Sequence, residues 1–79
     1  MWYVYIIKSQ RVDYKYTGST NDLKRRMLQH NEGLCQSSRP YRPFVLEAYI
    51  AVKDKDRAIK LEQYLKTGSG KAFLSKRLL

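Results

Sequence analysis

Alternation in two short aromatic segments near the N-terminus constrains this chain more than any other feature. Trp2-Tyr3-Val4-Tyr5-Ile6-Ile7 and Tyr14-Lys15-Tyr16-Thr17-Gly18 are rich in aromatic and β-branched types, which suit a pleated, half-buried surface. Gln10-Arg11-Val12-Asp13 between them is polar enough to turn. Residues 2–9 and 14–18 are therefore predicted to form an antiparallel hairpin. A turn centred between Gln10 and Arg11 sets Tyr5 opposite Tyr16, and Lys8 opposite Asp13 in a favourable cross-strand charge pair. Strand alternation puts Tyr3, Tyr5 and Ile7 on one face, with Trp2, Val4 and Ile6 on the other.

Gly18-Ser19-Thr20-Asn21-Asp22 ends the hairpin and starts a helix. Ser19, Thr20 and Asn21 are competent N-caps, and Asp22 suits the positive first turn. The helix is predicted over about 21–31, with Gly33 as its stop. At helical spacing Leu23, Met27 and Leu34 make the inward stripe. Arg26 and His30 lie one turn apart on its flank, where a side chain can be both held and reachable.

Residues 35–43 form a basic loop with two prolines. Phe44 to Val52 reads as a third strand. A second helix is expected over about 54–66, with Ala58, Leu61 and Leu65 inward and Glu62 on the flank. Thr67-Gly68-Ser69-Gly70 is expected to break it, leaving Lys71 to Leu79 as a short basic helix or tail. At 79 residues the chain is one domain, 1–79, near the size where a single core suffices.

Sixteen lysines and arginines against seven acidic residues give a net charge of +9. On so small a surface this points to a polyanionic partner, because each neutralised phosphate releases condensed counterions. The one cysteine, Cys35, excludes an internal disulfide and suits a reducing compartment. Met1 to Ile7 is too short for a signal peptide or a membrane span. The expected location is cytoplasmic, with no membrane contact.

Tyr5, Tyr16, Arg26, His30 and Glu62 carry the chemical interest. Singly, each has an ordinary explanation: a packed strand tyrosine, a solvated arginine, a structural histidine, an exposed carboxylate. Together they match what phosphodiester hydrolysis needs. Tyrosines and a histidine can orient or deprotonate water, an arginine offsets developing charge, and a carboxylate can hold a metal.

The sequence resembles the GIY-YIG nucleases. The first family motif matches Tyr3-Val4-Tyr5, with tyrosine and valine in place of glycine and isoleucine, and the second matches Tyr16-Thr17-Gly18. Gly18 through Arg26, followed by His30-Asn31, is similar to the family's first-helix motif. Ala58 through Lys66 is similar to its second helix, which carries the metal-binding glutamate. The resemblance covers nearly the whole chain and is strongest to small single-domain members akin to the catalytic domain of the excision-repair nuclease subunit.

It implies an α+β fold, a three-stranded antiparallel sheet flanked by helices, and DNA cleavage dependent on one divalent cation, Mg²⁺ or Mn²⁺. By this resemblance Tyr5 assists or acts as general base, and Tyr16 positions the water or the scissile phosphate. Arg26 stabilises the phosphorane-like charge, His30 joins in proton transfer or phosphate contact, and Glu62 ligates the metal. Gly18 is expected to permit the tight strand-to-helix turn. The chain departs from the family pattern in lacking the first-motif glycine and a late polar asparagine, whose region here is Thr67-Gly68-Ser69-Gly70.

Lys24, Arg39, Arg42 and Lys71 are the expected nucleic-acid contacts, with Tyr41 adding an aromatic beside the arginines. Gly68-Ser69-Gly70-Lys71 is not a phosphate loop, since Ala72 follows it and a helix precedes it. Glu47 is a weaker candidate ligand than Glu62. The expected activity is a structure-selective or weakly sequence-specific DNA endonuclease, in repair or recombination. The rival is a non-catalytic nucleic-acid-binding module of the same fold, or a subunit directed by a protein partner.

Overall fold

A computed structural model describes residues 1–79. In chain order it contains β1 (Trp2–Ser9), β2 (Lys15–Thr20), α1 (Leu23–Asn31), a short 3₁₀ turn (Arg39–Tyr41), β3 (Phe44–Val52), α2 (Lys55–Leu65) and α3 (Gly68–Arg77). The sheet is fully antiparallel with the order β2-β1-β3. It is the three-stranded α+β arrangement expected.

β1 is the central strand, and Val4, Tyr5, Ile6 and Ile7 are all buried. Their alternation splits the core in two. Val4 and Ile6 face α2 and α3, packing with Ala58, Leu65 and Leu74. Tyr5 and Ile7 face α1, packing with Phe44 and with the half-buried Leu23, Met27 and Tyr16. Each aliphatic side chain buried this way contributes about 1.5–3 kcal/mol, so the middle of β1 anchors both layers.

The hairpin register differs from the expected one. Tyr5 pairs with Gly18, Ile7 with Tyr16, and Lys8 with Lys15 rather than Asp13. Two residues more are taken up in the turn because Ser9 organises it: its Oγ accepts from the backbone N–H of Arg11 and Val12. A slip of two preserves side-chain parity, so Tyr5 and Tyr16 remain on one face.

α1 begins at Leu23 with Asp22 as N-cap, its carboxylate accepting from Arg25 N at 3.1 Å. It ends as expected at Gly33, whose φ of 79° needs a residue without Cβ. Gly33 N donates to His30 O and Leu34 N to Gln29 O, closing a Schellman motif. That turn throws the chain outward, so Leu34 is 67% exposed and not part of the inward stripe.

Thr67-Gly68-Ser69-Gly70 does not separate α2 from a short tail. Only Lys66 and Thr67 lie between the helices, and α3 starts at Gly68. Thr67 caps it, donating from Oγ1 to Tyr64 O at 2.6 Å and accepting from Gly70 N at 3.1 Å. Gly70 is the point of closest crossing, since a Cβ there would collide with Tyr64 O and stand 2.5 Å from Leu65 Cα.

Candidate active site

The α1 face of the sheet gathers Tyr5, Tyr16, Arg26 and His30. Tyr5 lies flat across Gly18: a Cβ on Gly18 would stand 2.5 Å from the Tyr5 hydroxyl oxygen and 2.7 Å from Cζ. Gly18 sits inside β2 with no positive φ. Its role is therefore to leave room for a tyrosine ring on the neighbouring strand, not to turn the chain into α1.

The Tyr5 hydroxyl meets His30 Nε2 at 2.8 Å, and His30 Nδ1 meets Ser38 Oγ at 2.7 Å. Ser38 Oγ in turn donates to Cys35 O at a long 3.4 Å. With its proton so directed, Ser38 accepts from His30 Nδ1–H, which leaves Nε2 to accept the Tyr5 proton. Tyr5, His30 and Ser38 are all fully buried. The imidazole is walled by Tyr5, Tyr16 and Phe44, with ring centroids 5.7, 4.9 and 5.8 Å away.

Burial governs the protonation of this chain. It raises the Tyr5 phenol well above its ordinary range, the neighbouring Tyr16 pushes the same way, and the Arg26 guanidinium opposes both. It also lowers the His30 imidazole, with Arg26 adding to the effect. Both groups are neutral near pH 7, and no buried side-chain polar atom lacks a hydrogen bond.

The reachable part of the site is elsewhere. Tyr16 and Arg26 are half-buried, and Arg26 lines a polar cleft of about 100 Å³ at the start of α1 with Thr20, Asn21, Asp22, Arg25 and Gln29. The ion pairs of the molecule are Arg57–Asp54 and Lys66–Glu62, so no carboxylate neutralises Arg26. An anion entering this cleft meets a guanidinium that no carboxylate pairs. His30, expected on a reachable flank, is instead sealed from solvent.

Glu62 lies across the sheet. Its Oε1 accepts from Ser19 Oγ at 2.6 Å and its Oε2 from Lys66 Nζ at 2.7 Å. Ser19 pairs with Val4, whereas Gly18 pairs with Tyr5, so the carboxylate stands on the α2 side of edge strand β2 and the tyrosines on the α1 side. The two halves of the expected site meet only around that edge. Three or more His, Cys, Asp or Glu side chains are grouped nowhere. Glu47 sits at the bulge of β3, on the far side of β1.

Lys24 is exposed on α1. Arg39 and Arg42 line an open cleft with Arg11 and Pro40. Lys71 is on α3, where it rims an apolar pocket of about 200 Å³ with Lys15 and Lys66. The expected nucleic-acid contacts thus divide between the two faces.

Three roles escaped the sequence. Ser38 completes the buried chain from a loop that shows no periodicity. Asn31 ties α1 to β3, its side chain accepting from Phe44 N at 2.7 Å and donating to Phe44 O at 3.3 Å. Ser19 holds Glu62, and only here was a signal available, since alternation places it opposite Gly18 on the α2 face.

A three-stranded antiparallel sheet with two strand tyrosines on the face that packs against the first helix is what the GIY-YIG motifs lead one to expect. The sequence model of the GIY-YIG catalytic domain matches residues 1–76, and the chain belongs to this nuclease family. It is similar to the UPF0213 protein of Vibrio campbellii (strain ATCC BAA-1116), at 38% identity over 66 residues, covering 82% of this chain and 62% of that protein. The chain therefore spans less than two thirds of that relative's length. No solved structure matches it.

Proposed function

We propose that this protein is a divalent-metal-dependent endonuclease that hydrolyses DNA phosphodiester bonds, with structure selectivity or weak sequence specificity. The observation that carries this reading is the Arg26 guanidinium, which no carboxylate pairs, in a polar cleft at the start of α1 and next to the Tyr5 hydroxyl in a family nuclease domain. Arg26 is fixed on α1 and offsets the charge that grows on the phosphate as water attacks. Tyr16 orients that water with its hydroxyl.

Tyr5 is closed off from solvent, so we assign it, with His30, a positioning role in place of direct contact with the water. The neutral Tyr5–His30–Ser38 chain makes a rigid, uncharged wall next to Arg26, whose charge no carboxylate neutralises. Glu62 with Ser19 offers hard oxygen donors of the kind Mg²⁺ or Mn²⁺ accepts, water and substrate oxygens completing the shell. When bound, such an ion supplies Lewis-acid stabilisation of phosphate charge. Lys66 would have to yield Oε2 to it.

The net charge of +9 suits a DNA partner, and we place the activity in repair or recombination. Cys35 is free, which suits a cytoplasmic setting, and no helix is long and apolar enough to cross a membrane.

The test is a panel of labelled duplex, flap, junction and single-stranded DNA with RNA controls, incubated with Mg²⁺ or Mn²⁺. Arg26→Ala should lower cleavage by about 10²–10³-fold, the scale of losing one transition-state donor, and Glu62→Gln should abolish metal-stimulated cleavage. Equal metal-dependent nicking by both purified variants would overturn the assignment. The engagement of both Glu62 oxygens favours one second reading, a nucleic-acid-binding module without turnover. It predicts tight binding and no metal-stimulated product on any substrate in the panel.

A further inference from the structure

The loop between α1 and β3 is sewn to the β1–β2 turn by three hydrogen bonds. Ser9 Oγ donates to Tyr41 O at 2.6 Å, Gln10 N donates to Pro43 O at 2.9 Å, and Arg11 Nη2 donates to Pro40 O. The stitching brings Arg11 from the hairpin against Arg39 and Arg42 from the loop, around an open cleft of about 350 Å³.

Each arginine is held by main-chain oxygen and none by a carboxylate. Arg39 Nε donates to Gly33 O at 2.8 Å and Arg42 Nη1 to Arg39 O at 3.4 Å. A Cβ on Gly33 would strike Arg42 Nη1, so the αL turn that ends α1 also makes room for this side chain. Asp13, the nearest acid in sequence, forms no ion pair, because the molecule's ion pairs are Arg57–Asp54 and Lys66–Glu62.

Gathering three guanidiniums without a counter-charge works against folding. Carbonyl anchoring leaves most of their N–H donors free and already arranged, which is the condition for gripping phosphate oxygens in pairs. We infer that Arg11, Arg39 and Arg42 form a second phosphate-binding cleft, separate from the one at Arg26, that holds the backbone of a nucleic-acid strand at a distance from the reacting phosphate.

The separation follows from the fold. The Arg26 cleft lies at the start of α1 and the arginine cleft beyond its end. A nine-residue helix is about 13 Å long at 1.5 Å per residue. Neighbouring phosphates of one strand stand closer together than that length, so a phosphate in the arginine cleft sits a few nucleotides along the strand from one at Arg26. The substrate this geometry fits is a continuous strand that extends at least that far to one side of the cut. A short end or a dinucleotide would leave the cleft empty.

This rests on the nucleic-acid reading above, but its test needs no catalysis. Fluorescein-labelled DNA oligonucleotides of increasing length are titrated with the protein without metal, and anisotropy is followed from low to moderate salt. Affinity should step up once the strand is long enough to reach both clefts, and Arg11→Gln with Arg42→Gln should remove that step. On duplex DNA the slope of log K against log salt should fall by about 0.9 for each phosphate no longer neutralised, hence by about 1.8 in the double variant.

Arg11→Gln alone, at an exposed position, should lower it by about 0.9 and serves if the double variant does not fold. An unchanged slope and an unchanged length dependence in the folded variant, while the wild type binds and cleaves, would overturn the cleft alone. Cleft-dependent binding with no cleavage on any substrate would spare the cleft and overturn the nuclease reading.

Discussion

Two residues fix the geometry of the tyrosine face, and neither carries a charge. Gly18 makes room for the Tyr5 ring, so Gly18→Ala must force that ring or strand β2 to shift. Overpacking of this kind costs about 1–3 kcal/mol, which a lowered urea midpoint would register. An unchanged midpoint would mean that the ring is not confined. Ser38 accepts the His30 Nδ1 proton in a site without water access. Ser38→Ala leaves that donor unpaired and should cost about 1–3 kcal/mol. ¹⁵N shifts of the imidazole give the independent check: the wild type should carry its proton on Nδ1. A proton found on Nε2 would reverse the direction of the chain from Tyr5 to Ser38.

At the scale of elements, the joint between α2 and α3 contrasts two glycines close in sequence. Gly70 lies against the α2 backbone, whereas nothing stands within 4 Å of a Cβ built on Gly68. Gly68→Ala should therefore stabilise the protein by about 0.4–1 kcal/mol, by restricting the unfolded chain. Gly70→Ala must separate the two helices and should destabilise more strongly than any other substitution at this joint. Thermal unfolding of the two variants compares them directly, and an equal Tm would contradict the close crossing. The Thr67-Gly68-Ser69-Gly70 tract reads as a breaker in sequence because helix propensity counts glycine against a helix. It begins α3 because packing needs a small residue where two backbones cross, and propensity does not register that need.

For the molecule as a whole, pH reports on the buried pair. His30 is held below its ordinary value near 6.5, so below that value the unfolded chain takes up a proton that the folded one refuses. Its contribution to stability is full above about pH 6.5 and is lost as pH falls through that value. Tyr5 is raised above its ordinary 10.0, so its contribution is full below pH 10 and is lost as pH climbs further. The urea midpoint should decline on both sides of that window. Since His30 is the single histidine, a midpoint that stays flat between about pH 7 and 5 would exclude a neutral, buried imidazole.

By itself the sequence determined the three strands and the first two helices, the face shared by Tyr5 and Tyr16, the α1 stop at Gly33 and the family motifs. All of these follow from local periodicity, from alternation or from one residue's backbone freedom. Only the tertiary structure decided that His30 is sealed while Arg26 stays reachable, and that Glu62 is held by Ser19 and Lys66 across the β2 edge. It also decided that Arg11 joins Arg39 and Arg42. Each depends on how far one element stands from another, and those distances are set by packing around β1, which no local pattern encodes.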